Sequence, residues 1–179
     1  MQSFQILILF RGLPGVGKTE IVNQLAPLID ARIVSRDTIR TQVFFPPSFT
    51  LQEKAFIDRS VFRCVKLLLE RGETVIVDGT AFSKRHAVNK YLQLVYDLDI
   101  PVIIIHCRCS DALAEERIRK DIKNKSHPAI DRTVELFRRV KAEFEGIDEP
   151  CLNICTEYSV DKNVEKILNV LEEYKRKKA

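Results

Sequence analysis

The stretch that decides the fold is LFRGLPGVGKTEIVNQL, Leu9 to Leu25. An apolar run leads into it. Three glycines, a proline, a lysine and a threonine occupy its middle, and apolar residues return at Ile21, Val22 and Leu25 with helical spacing. Gly12, Gly17, Lys18 and Thr19 fit the pattern G-x-x-x-x-G-K-[ST]. The chemistry accounts for that spacing. Glycines let successive backbone N–H groups turn inward around phosphate oxygens, and a helix beginning near Lys18 adds the positive end of its dipole. Lys18 is suited to the β and γ oxygens of a triphosphate. Thr19 offers a hydroxyl to Mg²⁺, a hard cation that takes oxygen ligands. The expected nucleotide-binding set is therefore Gly12, Leu13, Pro14, Gly15, Val16, Gly17, Lys18, Thr19 and Glu20. The alternative, a glycine-rich turn without a ligand, is opposed by the strand–turn–helix context. No N-K-x-D base-reading motif occurs, which favours ATP over GTP.

Outward from this loop the chain alternates. Short runs rich in Ile, Leu and Val read as strands at 5–11, 31–36, 73–80, 101–109 and 151–157. Helical spacing marks 18–28, 51–71, 84–98, 110–123, 131–145 and 160–177. In 51–71 the apolar set is Ala55, Phe56, Val61, Phe62, Val65, Leu68 and Leu69, with Gly72 as the stop signal. FFPPSF, 44–49, reads as a loop because two prolines stop a helix. Strands alternating with helices predict a parallel sheet covered on both faces, within one domain spanning 1–179. Residues 111–132 differ in texture. They carry many charges and few apolar positions, as a mobile flap over a site would. Asp131, in HPAID, is the expected cap of the helix that follows.

Of the 179 residues, 45% are hydrophobic and 30% charged, enough apolar material for a packed core. No apolar run approaches the ~20 residues that span a bilayer, and MQSFQILILF lacks a basic n-region, so a cytoplasmic protein without a membrane partner is expected. The net charge of +4 is compatible with anionic substrates and does not itself imply nucleic acid. The five cysteines, Cys64, Cys107, Cys109, Cys151 and Cys155, lack C-x2-C spacing and a histidine at ligand distance, which disfavours zinc. His106 lies inside a strand and reads as a core histidine; His86 and His127 have no partner pattern.

Two further segments carry chemistry. VIVDGT ends a strand on Asp78, where a carboxylate can bind Mg²⁺ directly or through water, or else cap the next turn; Thr80 would support the same loop. VSRDTIR places Asp37 just past a strand and Arg40 three residues on, along one side of a short helix. A carboxylate there can take the proton of an attacking hydroxyl, and an arginine beside it can hold an anionic acceptor. The competing role for Asp37 is a helix cap. Arg36 is either a second anion contact or solvated.

GLPGVGKT, SRDTIR, VIVDGT and the later arginine-rich helix together resemble the small P-loop kinases over about residues 5–157. The pattern is nearest to the 5′-hydroxyl polynucleotide kinase domains and their kin, zeta-toxin-like AAA-type kinases among them. The resemblance implies a P-loop NTPase three-layer α/β sandwich, with a five-stranded parallel sheet in the order 2-3-1-4-5 and a helical lid. It implies that Asp37 is the general base, that Arg40 grips the acceptor's phosphate, and that Lys18 and Arg117 stabilise charge on the transferring group. The family's second lid cation, four residues after Arg117, falls on Asp121 here. Arg119, Lys120 or Lys123 could replace it within the basic cluster of Arg117, Arg119, Lys120, Lys123, Lys125 and Arg132.

Three functions compete. One is ATP- and Mg²⁺-dependent phosphorylation of a polynucleotide 5′-hydroxyl, for which Phe44, Phe45, Phe49 or Phe82 would have to line a channel rather than pack in the core. The second is a small-molecule kinase for an adenylylsulfate, nucleotide or sugar-nucleotide acceptor. The third is a regulator that binds ATP without phosphoryl transfer.

Overall fold

The computed structural model describes residues 5–124 and 131–178. Its order is β1 (Leu7–Arg11), α1 (Lys18–Leu28), β2 (Ala31–Ser35), α2 (Arg36–Val43), α3 (Leu51–Glu70), β3 (Thr74–Asp78), α4 (Arg85–Asp97), β4 (Val102–Arg108), α5 (Asp111–Asn124), α6 (Val134–Ala142), β5 (Cys151–Cys155) and α7 (Val160–Lys178). The strands form one sheet in the order β2-β3-β1-β4-β5, every pair parallel. This is the three-layer sheet anticipated from the alternating pattern.

β1 explains why the sheet is covered on both sides. Ile6, Ile8 and Phe10 enter the core formed with α1, α5, α6 and α7, while Leu7 and Leu9 enter the core formed with α3 and α4. The period-two alternation of a strand puts apolar side chains on both faces, so each face needs a helical layer. Parallel pairing also brings the strands' carboxyl ends to one edge: Ser35 lies opposite Asp78, Arg11 opposite His106, and Arg108 opposite Cys155. In open α/β sheets that edge is where ligands bind.

Several expected boundaries move for local reasons. β2 ends at Ser35, because the Ser35 hydroxyl accepts the Thr38 N–H at 3.3 Å and starts α2 there. Asp37 is thus released from capping. Thr133, not Asp131, caps α6; its hydroxyl accepts the Leu136 N–H at 3.1 Å. α3 buries Ile57, Val61, Val65 and Leu69, a strict i+4 stripe, so Ala55 and Phe56 stay exposed. β5 stops at Cys155, freeing Thr156 to turn toward β1. Lys125, His127 and most of HPAID lie outside the described residues.

The segment 111–132, expected as a flap, is packed in its first half. The first half of α5 is core: Ala114 and Ile118 are buried and belong to the α1-side cluster. They fit because Gly15, at φ +82°, presents no side chain. A Cβ there would stand 2.6 Å from the Ala114 carbonyl oxygen and 2.9 Å from Ile118 Cγ1. The lid helix therefore sits directly on the phosphate loop. Among the described residues no helix is long and apolar enough to cross a membrane.

Candidate active site

Every predicted element of the nucleotide loop arrives at the carboxyl edge of β1. Lys18 opens α1 and folds back over the loop, its Nζ donating to the carbonyls of Gly12 at 2.8 Å and Leu13 at 3.0 Å. Burial pushes the Lys18 ammonium below its ordinary range, against the nearby carboxylates of Asp78 and Asp37, which pull it up. Such an ammonium is stripped of water and gains from any anion that replaces the two carbonyls.

Thr19 donates its hydroxyl to Asp78 Oδ2 at 2.9 Å, joining α1 to the end of β3. Asp78 is buried, and its other oxygen, Oδ1, has no hydrogen-bond partner. A buried orphan carboxylate oxygen is costly unless something completes it. A hydroxyl and one carboxylate suit Mg²⁺, which keeps most of its shell for water and phosphate rather than demanding a protein cage.

Asp37 lies in the first turn of α2, close to both Lys18 and Asp78. Gly79 makes the approach possible: a Cβ there would come within 3.0 Å of the Asp37 N and 3.1 Å of the Arg36 N. Burial raises the Asp37 pKa above the usual aspartate range; Arg36 and Arg40 oppose that rise and Asp78 adds to it. A carboxylate held there is a better proton acceptor than one in water.

Arg40 is only 2% exposed, and its guanidinium is built into the protein. Nη1 is 3.6 Å from Asp37 Oδ1, Nε is 3.0 Å from Glu53 Oε1, and the plane covers the Phe49 ring at 4.9 Å. Nη2 is buried without a hydrogen-bond partner. Glu53 was not foreseen. Its Oε2 accepts the Ser48 N–H and hydroxyl and the Phe49 N–H. Desolvation alone would raise its pKa, but these bonds and Arg40 bring it below the ordinary value. Arg36 is drawn away by Asp58 at 2.7 Å, although it still borders the cleft.

Thr156 was also missed. It donates to the Val16 carbonyl at 2.5 Å and accepts Arg117 Nη1 at 3.2 Å, while Arg117 Nη2 donates to its carbonyl at 2.9 Å. Arg117 is thereby fastened against Gly17 of the phosphate loop. The available signal was position, since Thr156 follows the last strand at the same edge as the other site residues. Of the remaining lid cations, Lys120 and Arg132 border the cleft, whereas Arg119 turns outward to Glu115 at 2.6 Å.

These residues enclose one cleft of about 660 Å³, bordered by seven basic and five acidic side chains, with Thr80 also in its lining. None of the four phenylalanines considered for base stacking borders it. Phe82 is buried against Tyr91, Phe44 meets Phe56 edge to face, Phe49 backs Arg40, and Phe45 points to solvent at 96% exposure. His106 stacks on Phe144 at 5.7 Å and is held near pKa 4 by burial and by Arg11 and Arg108, so it is neutral at pH 7. Arg11, at the end of β1, reaches the Phe82 carbonyl at 3.0 Å and bonds to the Glu145 carbonyl, pinning β1 to the segment before β5.

The comparisons with known proteins agree with this architecture. The family described as AAA domain matches residues 7–147. The chain is 28% identical over 172 residues to the "Probable adenylyl-sulfate kinase" of Aeropyrum pernix, covering 93% of this chain and 92% of that protein. The Mycobacterium tuberculosis APS kinase, solved with AMPPNP and APS, has the same fold. Its TM-score is 0.72 at 18% identity, over 94% of this chain and 98% of that one. A chain of the Pnkp1/Rnl/Hen1 RNA repair complex aligns with TM-score 0.61 at 21% identity, over 81% of this chain and 48% of that one. The P-loop kinase fold is thus shared with proteins whose names point to different acceptors.

Proposed function

The chain belongs to the AAA domain family, and on that footing we propose that it is an ATP- and Mg²⁺-dependent kinase that phosphorylates a hydroxyl of a small anionic molecule. One observation carries the reading: the phosphate loop, the Thr19–Asp78 pair and the buried Asp37 carboxylate open into a single cleft. Residues 1–179 act as one kinase domain, with the lid over about 111–132.

The loop amides and Lys18 hold the triphosphate, and Lys18 exchanges its two carbonyl partners for β and γ oxygens. Thr19 and Asp78 would hold Mg²⁺, which supplies neutralising charge on the triphosphate. Arg117, fixed by Thr156, steadies the transferring group. Arg40, with Nη2 unpaired, faces the acceptor's anionic group, and Arg36 supports it. Asp37 accepts the hydroxyl proton as the acceptor oxygen bonds to the γ phosphorus and the bond to the leaving ADP breaks. The transition state is loose, so positioning and charge account for most of the acceleration.

The small-acceptor reading is preferred over a polynucleotide 5′-hydroxyl because no aromatic side chain among the described residues borders the cleft, and single-strand sites rely on such platforms. The adenylyl-sulfate kinase relatives support the same preference. The test is transfer from γ-labelled ATP to a panel of 5′-hydroxyl oligonucleotides, nucleosides, nucleotides, adenylylsulfate and sugar nucleotides, repeated with Asp37→Asn. Label confined to small acceptors is expected. Label on the oligonucleotides would restore the polynucleotide reading, and nucleotide binding with no transfer to any acceptor would favour a regulator.

A further inference from the structure

The lid helix carries an aspartate, Asp121, four residues after Arg117. The structure puts a guanidinium beside that carboxylate from another segment. Arg132, in the turn before α6, brings Nη1 to 3.3 Å from Asp121 Oδ2. Its side chain is 15% exposed, and its Nε is buried without a hydrogen-bond partner. It borders the same cleft as Lys18, Asp37, Asp78 and Arg117.

We propose that Arg132 is a second cation, beside Arg117, that contacts the transferring phosphoryl group, and that Asp121 is the positioning residue that aims it. The inference rests on the kinase reading above. Arg132 differs from each of its rivals: Lys123 is exposed and does not border the cleft. Arg119 is committed to Glu115 on the outer face. Lys120 borders the cleft but is a point charge without the planar fork that matches phosphate oxygens. Arg132, in contrast, sits in the field of the reacting groups. Burial lowers its pKa, Asp121 and then Asp37 and Asp78 act to raise it, and Arg132 in turn depresses Lys18. A cation that interacts with the proposed base, the proposed metal carboxylate and the phosphate-loop lysine is placed among them. Asp121 gives it orientation without consuming its remaining donors.

A merely structural ion pair would hold the lid in place and affect all bound states alike. A contact to the phosphoryl group in flight acts on one state only. Calorimetry with ADP and Mg²⁺, with and without aluminium fluoride as a mimic of that group, separates the two. Arg132→Ala should leave ADP affinity within about threefold and weaken the aluminium fluoride complex about 10²-fold. Arg132→Gln, which stays polar but removes the charge, should show the same split, its retained ADP affinity serving as the folding control. Asp121→Asn should show a smaller split, about tenfold. Equal losses in both complexes, or no loss in either, would overturn the assignment while leaving the kinase reading standing. A wild-type protein that binds ADP no more tightly with aluminium fluoride than without it would overturn both.

Discussion

On the kinase reading proposed above, the donor wall of the cleft is mostly backbone, and the acceptor wall is mostly side chain. On the donor side Gly12, Gly15 and Gly17 all have positive φ, and the groups proposed to face phosphate are amides of a loop wedged between β1, α5 and Thr156. On the acceptor side Asp37, Arg40 and Glu53 form a chain of charges joining α2 to α3, fixed by the amides of Ser48 and Phe49. A backbone site has one geometry and tolerates little. A side-chain site can be re-cut residue by residue. The difference teaches why the nucleotide half of such a protein announces itself and the acceptor half does not.

The comparison can be broken first at its chemical hinge. Asp37→Asn should lower kcat about 10²–10⁴-fold in the label-transfer assay, the usual weight of a general base. It should also raise the melting temperature at pH 8 by about 2–4 °C, the shift that about 1 kcal/mol produces in a chain of this size. The sign follows from the raised pKa. Folded Asp37 holds its proton more tightly than unfolded, so its contribution is best below the ordinary aspartate pKa and is lost as pH rises through the folded value. The asparagine gain should therefore vanish in acid. Full activity in this variant would remove the base from the acceptor wall.

On the donor wall, Gly15→Ala should destabilise the fold by about 2–4 kcal/mol in urea unfolding, combining a left-handed residue with a clash against Ala114 and Ile118. A neutral result would mean that the loop is not wedged. Thr156→Val should come next. It strands the Val16 carbonyl and loosens Arg117, costing about 1–3 kcal/mol in the same measurement and weakening ATP binding in calorimetry.

Milder still is the pH profile of kcat/KM. Its rising limb should lie above the ~3.9 of an ordinary aspartate, because the base must be ionised and Asp37 is held protonated to higher pH. A limb at the ordinary value would separate activity from Asp37. The smallest effect sharpens the choice of acceptor. Phe45→Ser should change acceptor KM by less than about twofold, since the ring projects to solvent away from the cleft. A stacking platform would cost about 1–3 kcal/mol, a shift of roughly fivefold or more.

What could be read from residues alone follows the same divide. The phosphate loop, Asp78 and the strand–helix alternation were readable because local spacing encodes them. Asp37 and Arg40 were readable as a pair on one helix. Glu53 and Thr156 were not, because their partners lie in distant segments or across the sheet: Arg40 thirteen residues earlier, Val16 at the other end of the chain. How the lid packs was not readable for a related reason. Its charges suggested a flap, while two apolar positions, Ala114 and Ile118, fix its first half on the phosphate loop.

The seam between Gly15 and the lid has a bearing on inheritance. The atom nearest a side chain at position 15 is the main-chain oxygen of Ala114. No compensating replacement at Ile118 alone can relieve that collision, so a second-site suppressor would have to displace a whole helix. Position 15 is therefore closed to any side chain for as long as the lid helix keeps its seat on the loop.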